Sequence, residues 1–108
     1  MSLYSIKLRI RVSEPHRLSE IVENLSKELT IMVKRVIKIS STSLLALSST
    51  YMIKIRIESV SVDQAIRFGI PNLVLIIEID TQRPEDISEV IEKVINVVRE
   101  FGGLIELM

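Results

Sequence analysis

The chain has no cysteine and no tryptophan, only one histidine, three glycines, three prolines and four aromatic residues among 108. Each scarcity excludes something. Without cysteine there can be no disulfide, thiolate metal site or thiol nucleophile. Three scattered glycines, Gly69, Gly102 and Gly103, cannot build a Gly-rich phosphate loop. A lone His16, in a predicted first helical turn with no nucleophile pattern around it, does not make a triad. The longest unbroken apolar run, Leu73 to Ile77, is far too short to span a bilayer, and the first residues lack an apolar signal segment. A soluble, cytoplasmic protein is therefore expected. Net charge is lacking too. Fourteen Lys and Arg balance fourteen Asp and Glu, which excludes a polycation that coats nucleic acid without specificity.

What is present is a large aliphatic and charged inventory. Hydrophobic residues make up 47% and charged residues 26%, a globular composition for one domain with a two-layer core. The heavy Ile content and many charges resemble a thermophile's composition.

Period-two alternation is the clearest pattern. In residues 4–12, Tyr4, Ile6, Leu8, Ile10 and Val12 share one face, and Ser5, Lys7, Arg9 and Arg11 the other. In residues 51–59, Tyr51, Ile53, Ile55 and Ile57 oppose Met52, Lys54, Arg56 and Glu58. Residues 32–40 read as a further strand, with Val33, Arg35, Ile37 and Ile39 on the core face and Met32, Lys34, Val36 and Lys38 opposite. Arg35 on the core face is expected near a sheet edge, reaching water. The nearly all-apolar run 73–80 reads as a central strand, and 104–108 as a short last one.

Helical spacing appears twice. Leu18, Ile21, Val22, Leu25 and Leu29 form a stripe over 15–30, behind Ser13 as a cap and Pro15 in the first turn. Ile87, Val90, Ile91, Val94, Val98 and Phe101 form another, entered at Pro84-Glu85-Asp86 and stopped by Gly102-Gly103. A capping-box spacing, Ser61 to Gln64, predicts a short helix 62–68 ending at Gly69, with Pro71-Asn72 turning the chain. Ser43 to Leu47 reads as a helical turn tucked onto the core, or as an apolar tip for a partner.

The order β-α-β-β-(short α)-β-α-β predicts an α+β, ferredoxin-like two-layer sandwich. It has a five-stranded, mainly antiparallel sheet with helices on one face. Right-handed crossovers then place strands 4–12 and 73–80 centrally, 104–108 at one edge, and 51–59 at the other edge beyond 32–40.

The uncovered face of that sheet is the candidate site. It collects Lys7, Arg9, Arg11, Lys34, Lys38, Lys54 and Arg56, together with Glu78 and Asp80. Three readings follow. The charges form a solvated ladder, since Glu78 and Asp80 neighbour the cations. Alternatively the face mediates self-association, with sheets stacking around Met52, Val36 and Val74, or binds a partner or anionic ligand. Weak, non-specific RNA binding is the third. It lacks stacking aromatics, because Tyr4 and Tyr51 have core parity. Nucleic acid is accordingly disfavoured, no metal or cofactor is called for, and nothing in the pattern argues for an enzyme. The expectation is a homo-oligomeric, non-enzymatic binding module.

The segment Ile66-Arg67-Phe68-Gly69-Ile70-Pro71-Asn72-Leu73, running straight into a strand, resembles one part of the guanine-nucleotide exchange domain of translation elongation factor one beta. That family has an aromatic-Gly-aliphatic step before its third strand, then an acidic turn, a helix and a last strand. Residues 66–108 can be laid on that half, and 4–30 on the opening strand and helix. The resemblance implies a ferredoxin-like fold and, as an alternative function, nucleotide exchange on a translational GTPase. The family's Gly-Thr-Asp step is replaced here by Gln82-Arg83-Pro84-Glu85-Asp86, and its C-terminal lysine is absent from Leu104-Ile105-Glu106-Leu107-Met108. The strand 51–59 is a further departure.

Overall fold

Strand β1, Tyr4–Arg11, enters helix α1, Arg17–Met32, through a turn at Ser13–His16. The strands β2 (Arg35–Ser40), β3 (Ser43–Leu47) and β4 (Tyr51–Ser59) follow as a meander. Helix α2, Val62–Phe68, leads to β5, Leu73–Thr81. A single 3-10 turn at Pro84–Asp86 opens helix α3, Ser88–Glu100, and β6, Leu104–Leu107, closes the chain. The computed structural model describes residues 3–69 and 72–108. The predicted turn residue Pro71 lies outside the described residues.

The architecture is α+β, with one six-stranded sheet in the order β2-β3-β4-β5-β1-β6, every neighbouring pair antiparallel. Six strands replace the expected five, because Ser43–Leu47 is a strand and not a helical turn. Its Leu44 and Ala46 are fully buried against the helices, while Leu45 and Leu47 point the other way. Both faces of the segment are therefore at least half covered, which hides the alternation that would mark a strand.

The additional strand also changes the order. The segment 51–59 is not an edge but lies beside central β5, and β2 takes the outer position. A two-residue turn at Ser41-Thr42 and the Ser48–Thr50 turn let the chain step inward one strand at a time. Helix α2 then joins two adjacent strands, and Val60 N–H donates to Asn72 O across its ends at 2.7 Å.

Helices α1 and α3 pack on one face. Register places Ile6, Leu8 and Ile10 of β1 opposite Ile79, Ile77 and Leu75 of β5, and Ile53 and Ile55 of β4 opposite Ile79 and Ile77. These meet the α1 stripe (Leu18, Ile21, Val22, Leu25, Leu29) and the α3 stripe (Val90, Val94, Val97, Val98) in a single aliphatic core. Fully burying each such side chain contributes roughly 1.5–3 kcal/mol. The predicted cap Ser13 is not used. His16 occupies the N-cap position of α1 without a side-chain hydrogen bond.

Helix α3 ends in a Schellman-like stop. Gly102 adopts φ +67°, and Gly103 N–H donates to Val98 O at 3.0 Å. A Cβ on Gly103 would sit 2.6 Å from Val98 Cγ1 and 3.2 Å from Val12 Cγ1, so only glycine lets β6 close onto β1.

At the far end of β5, Thr81 is the most buried polar residue among those described. Its hydroxyl lies 2.9 Å from Arg83 O and 3.2 Å from Thr50 O, and accepts Arg83 N–H at 3.0 Å. Among the described residues, no helix is long and apolar enough to cross a membrane.

Candidate functional site: the open face of the sheet

The strand alternation that buries Leu8 and Ile77 turns Ser5, Lys7, Arg9 and Arg11 of β1 outward. It does the same for Met52, Lys54, Arg56 and Glu58 of β4 and for Glu78 and Asp80 of β5. Cross-strand register sets these side by side. Glu78 lies between Lys7 and Lys54, and Asp80 between Ser5 and Met52.

Glu78 is the hub. Its carboxylate is 3.0 Å from Arg56 Nη2, 3.5 Å from Lys7 Nζ and 3.8 Å from Lys54 Nζ. The Arg56 hydrogen bond, with Lys7 adding to it, holds this carboxyl below its ordinary range. Lys54 also reaches Asp80 at 3.5 Å, whose other oxygen accepts the Ser5 hydroxyl at 2.7 Å. Arg56 Nε donates to Glu58 at 2.5 Å, and the two carboxylates push the Arg56 guanidinium further up. At the β6 edge, Glu106 takes Arg9 at 2.5 Å and also pairs with Arg11. The Arg9 hydrogen bond lowers its pKa.

Ile76 is on this uncovered face yet only 1% exposed, between its cross-strand neighbours Arg9 and Arg56. Long side chains of this kind cover an apolar neighbour with their aliphatic stems while their charged tips reach outward. The Nε atoms of Arg9 and Arg11 are buried and have no hydrogen-bond partner among the described residues.

Five of the seven expected cations, Lys7, Arg9, Arg11, Lys54 and Arg56, thus share one face, and each is paired. The other two lie elsewhere. Lys38 points to the helix side, where its Nζ is 2.7 Å from Glu23 of α1. Lys34 is exposed just before β2 begins. The reason is a break in alternation. Val33 caps α1 and is buried, and the next core-facing residue is Val36, three positions on, paired with Ala46. Val36 and Lys38 therefore face the helices, and Arg35 and Ile37 turn outward, opposite to the expected parity. Of the expected stacking residues, Val36 packs into the core, Val74 is buried, and Met52 alone stays partly open.

Beside the charged half lies an apolar strip whose Leu45 and Leu47 the sequence offered as a tip for a partner and whose Met52 it offered for stacking, without Ile37 and without bringing them to one sheet face. Ile37 of β2 is opposite Leu45 of β3, and Leu47 of β3 is opposite Met52 of β4. All four are half-buried. A depression of about 240 Å³ adjoins it, lined by Leu3, Leu47, Tyr51, Met52, Asp80 and Gln82. The signal for Leu45 and Leu47 was their spacing of two within an apolar run. The signal for Glu106 was weaker, since its strand is four residues long.

Tyr51 and Phe101 pack against the core, not on this face. Among the described residues, no group of three or more His, Cys, Asp or Glu side chains could hold a metal ion. Ile70 and Pro71, which carry part of the exchange-domain resemblance, lie outside the described residues.

No protein-family model matches the chain, and comparison with curated proteins gives no match either.

Proposed function

We propose that this chain is a non-enzymatic, ferredoxin-like binding module that self-associates through its open sheet face. The fold reading is supported by the sheet order. With β2 and β3 set aside, β6-β1-β5-β4 is the 4-1-3-2 arrangement of a split β-α-β sandwich, with β2 and β3 extending its edge.

The observation that carries self-association is the apolar strip of Ile37, Leu45, Leu47 and Met52 beside a charge ladder that neutralises itself. Five paired cations meet four carboxylates on this face, Glu58, Glu78, Asp80 and Glu106, and Arg35 at its β2 margin adds one unpaired charge. A ladder so nearly neutralised has little to offer a phosphate-rich ligand, and two copies of it can approach without strong repulsion. The apolar strip supplies the area that a partner removes from water. The basic-face reading, in which an anionic ligand pairs with Lys7, Arg9, Arg11, Lys54 and Arg56, must first displace these carboxylates.

Static light scattering tests the proposal. The expected mass is at least twice the 12.3 kDa of one chain. A Leu45→Lys/Leu47→Lys variant, with unchanged circular dichroism, is expected at the single-chain mass. A parent chain that stays monomeric at high concentration, or a variant that associates equally well, overturns it.

A further inference from the structure

Unpaired positive charge collects at the β2 edge, at the margin of the sheet face. Among the described residues, nine of the fourteen Lys and Arg side chains are in ion pairs: 7, 9, 11, 17, 38, 54, 56, 83 and 93. Of the remaining five, Lys27, Arg67 and Arg99 lie on three different helices. Lys34 and Arg35 are consecutive at the start of β2, both exposed.

The same edge has unused backbone. Among the described residues β2 pairs only with β3, so the N–H and C=O groups of its outer side are left without a strand partner. The strand pairs regularly over Arg35–Lys38, and an irregularity between Lys38 and Ser40 interrupts the ladder before its last pair, Ser40 with Ser43, with Ile39 67% exposed there. Ile37, next to Arg35 on the open face, is half-buried.

We infer that β2 is a strand-addition site for an extended acidic peptide segment of a partner protein. An added strand would pair its backbone with Arg35–Lys38, lay acidic side chains beside Lys34 and Arg35, and place an aliphatic one beside Ile37. Charge complementarity selects this occupant. A second copy of β2 brings two more unpaired cations, Lys34 and Arg35, and no carboxylate to pair with them, and like charges close across a ladder are destabilising. A nucleic acid would satisfy the cations, but its phosphodiester offers acceptors alone and leaves the edge C=O groups without donors. A peptide matches both rows. The irregularity at Ile39 limits the match to a short segment and blunts open-ended sheet growth.

The site shares Ile37 with the margin of the apolar strip but uses the outer backbone edge of β2, and it does not depend on self-association. Its test is fluorescence anisotropy with a fluorescein-labelled Glu-Glu-Val-Val-Glu-Glu peptide, which reads the same in either strand direction. Three comparisons accompany it: the peptide N-methylated at alternate residues, labelled oligothymidylate, and a Lys34→Glu/Arg35→Glu variant. Both changed side chains are exposed, so far-UV circular dichroism should stay the same. The plain peptide is expected to bind, with affinity falling at least tenfold in the variant and at least tenfold on N-methylation. An absence of binding overturns the inference. So does equal affinity of the N-methylated peptide, which would leave charge without strand pairing, equal affinity in the variant, or tighter binding of oligothymidylate.

Discussion

Replacing Glu78 with Gln keeps the shape of the hub and removes its charge. In the parent chain this carboxylate faces Arg56, Lys7 and Lys54 at 3.0, 3.5 and 3.8 Å. After the change, Arg56 retains Glu58 and Lys54 retains Asp80, but Lys7 is left without a carboxylate. Exposed pairs contribute about 0.2–1 kcal/mol each, and these cations are about a third to two-fifths exposed, so water and salt screen them. The three contacts together are expected to contribute about 1–2 kcal/mol at neutral pH. The pH dependence has a fixed sign. The folded pKa of Glu78 lies below its unfolded value, so its stabilisation is fully present above the unfolded value and is lost as pH falls through the folded one. Urea unfolding followed by circular dichroism should therefore show Glu78→Gln less stable at pH 7. The difference should shrink towards zero in acid and also shrink in 1 M salt. Equal stability at pH 7, or a deficit that persists unchanged in acid, would refute the view of Glu78 as an ionised hub.

Two further substitutions probe the frame that holds the face. Gly103→Ala places a methyl 2.6 Å from Val98 Cγ1 and should destabilise by about 1–3 kcal/mol in thermal or urea unfolding; a neutral result would show that β6 can move off α3 freely. Thr81→Val preserves volume but leaves Arg83 N–H without its acceptor in a 1% exposed position, and should cost about 1–3 kcal/mol in the same assay; no loss would mean that water replaces the hydroxyl.

Strict alternation made β1 and β4 legible, and 3.6-residue spacing did the same for α1 and α3, because each buries one face only. Leu44-Leu45-Ala46-Leu47 was not legible. Leucine and alanine favour helices locally, and the pairing of Leu44 with Ile55 and of Ala46 with Ile53, which makes the segment a strand, is a long-range matter. Once that strand was missed, the position of 51–59 beside β5 could not follow. The inverted parity of β2 came from two irregular residues, Val33 and Lys34, which local pattern does not reveal. At the site, sequence parity brought five cations to one face. Only register showed that each has a carboxylate, and that Lys34 and Arg35 form the unpaired set.

The position of β1 between β5 and β6 has a kinetic consequence. Tyr4 pairs with Thr81, Ile10 with Leu75, and Leu8 with Leu107, so both neighbours of β1 come from the last third of the chain. Loop-closure entropy for these contacts must be met before their burial rewards it. Folding is therefore of the slow, high-contact-order kind. During synthesis, Ile6, Leu8 and Ile10 stay without strand partners until β5 emerges. In that interval β1 is an unsatisfied edge, and the like charges of its Lys7, Arg9 and Arg11 disfavour its pairing with a second copy of itself.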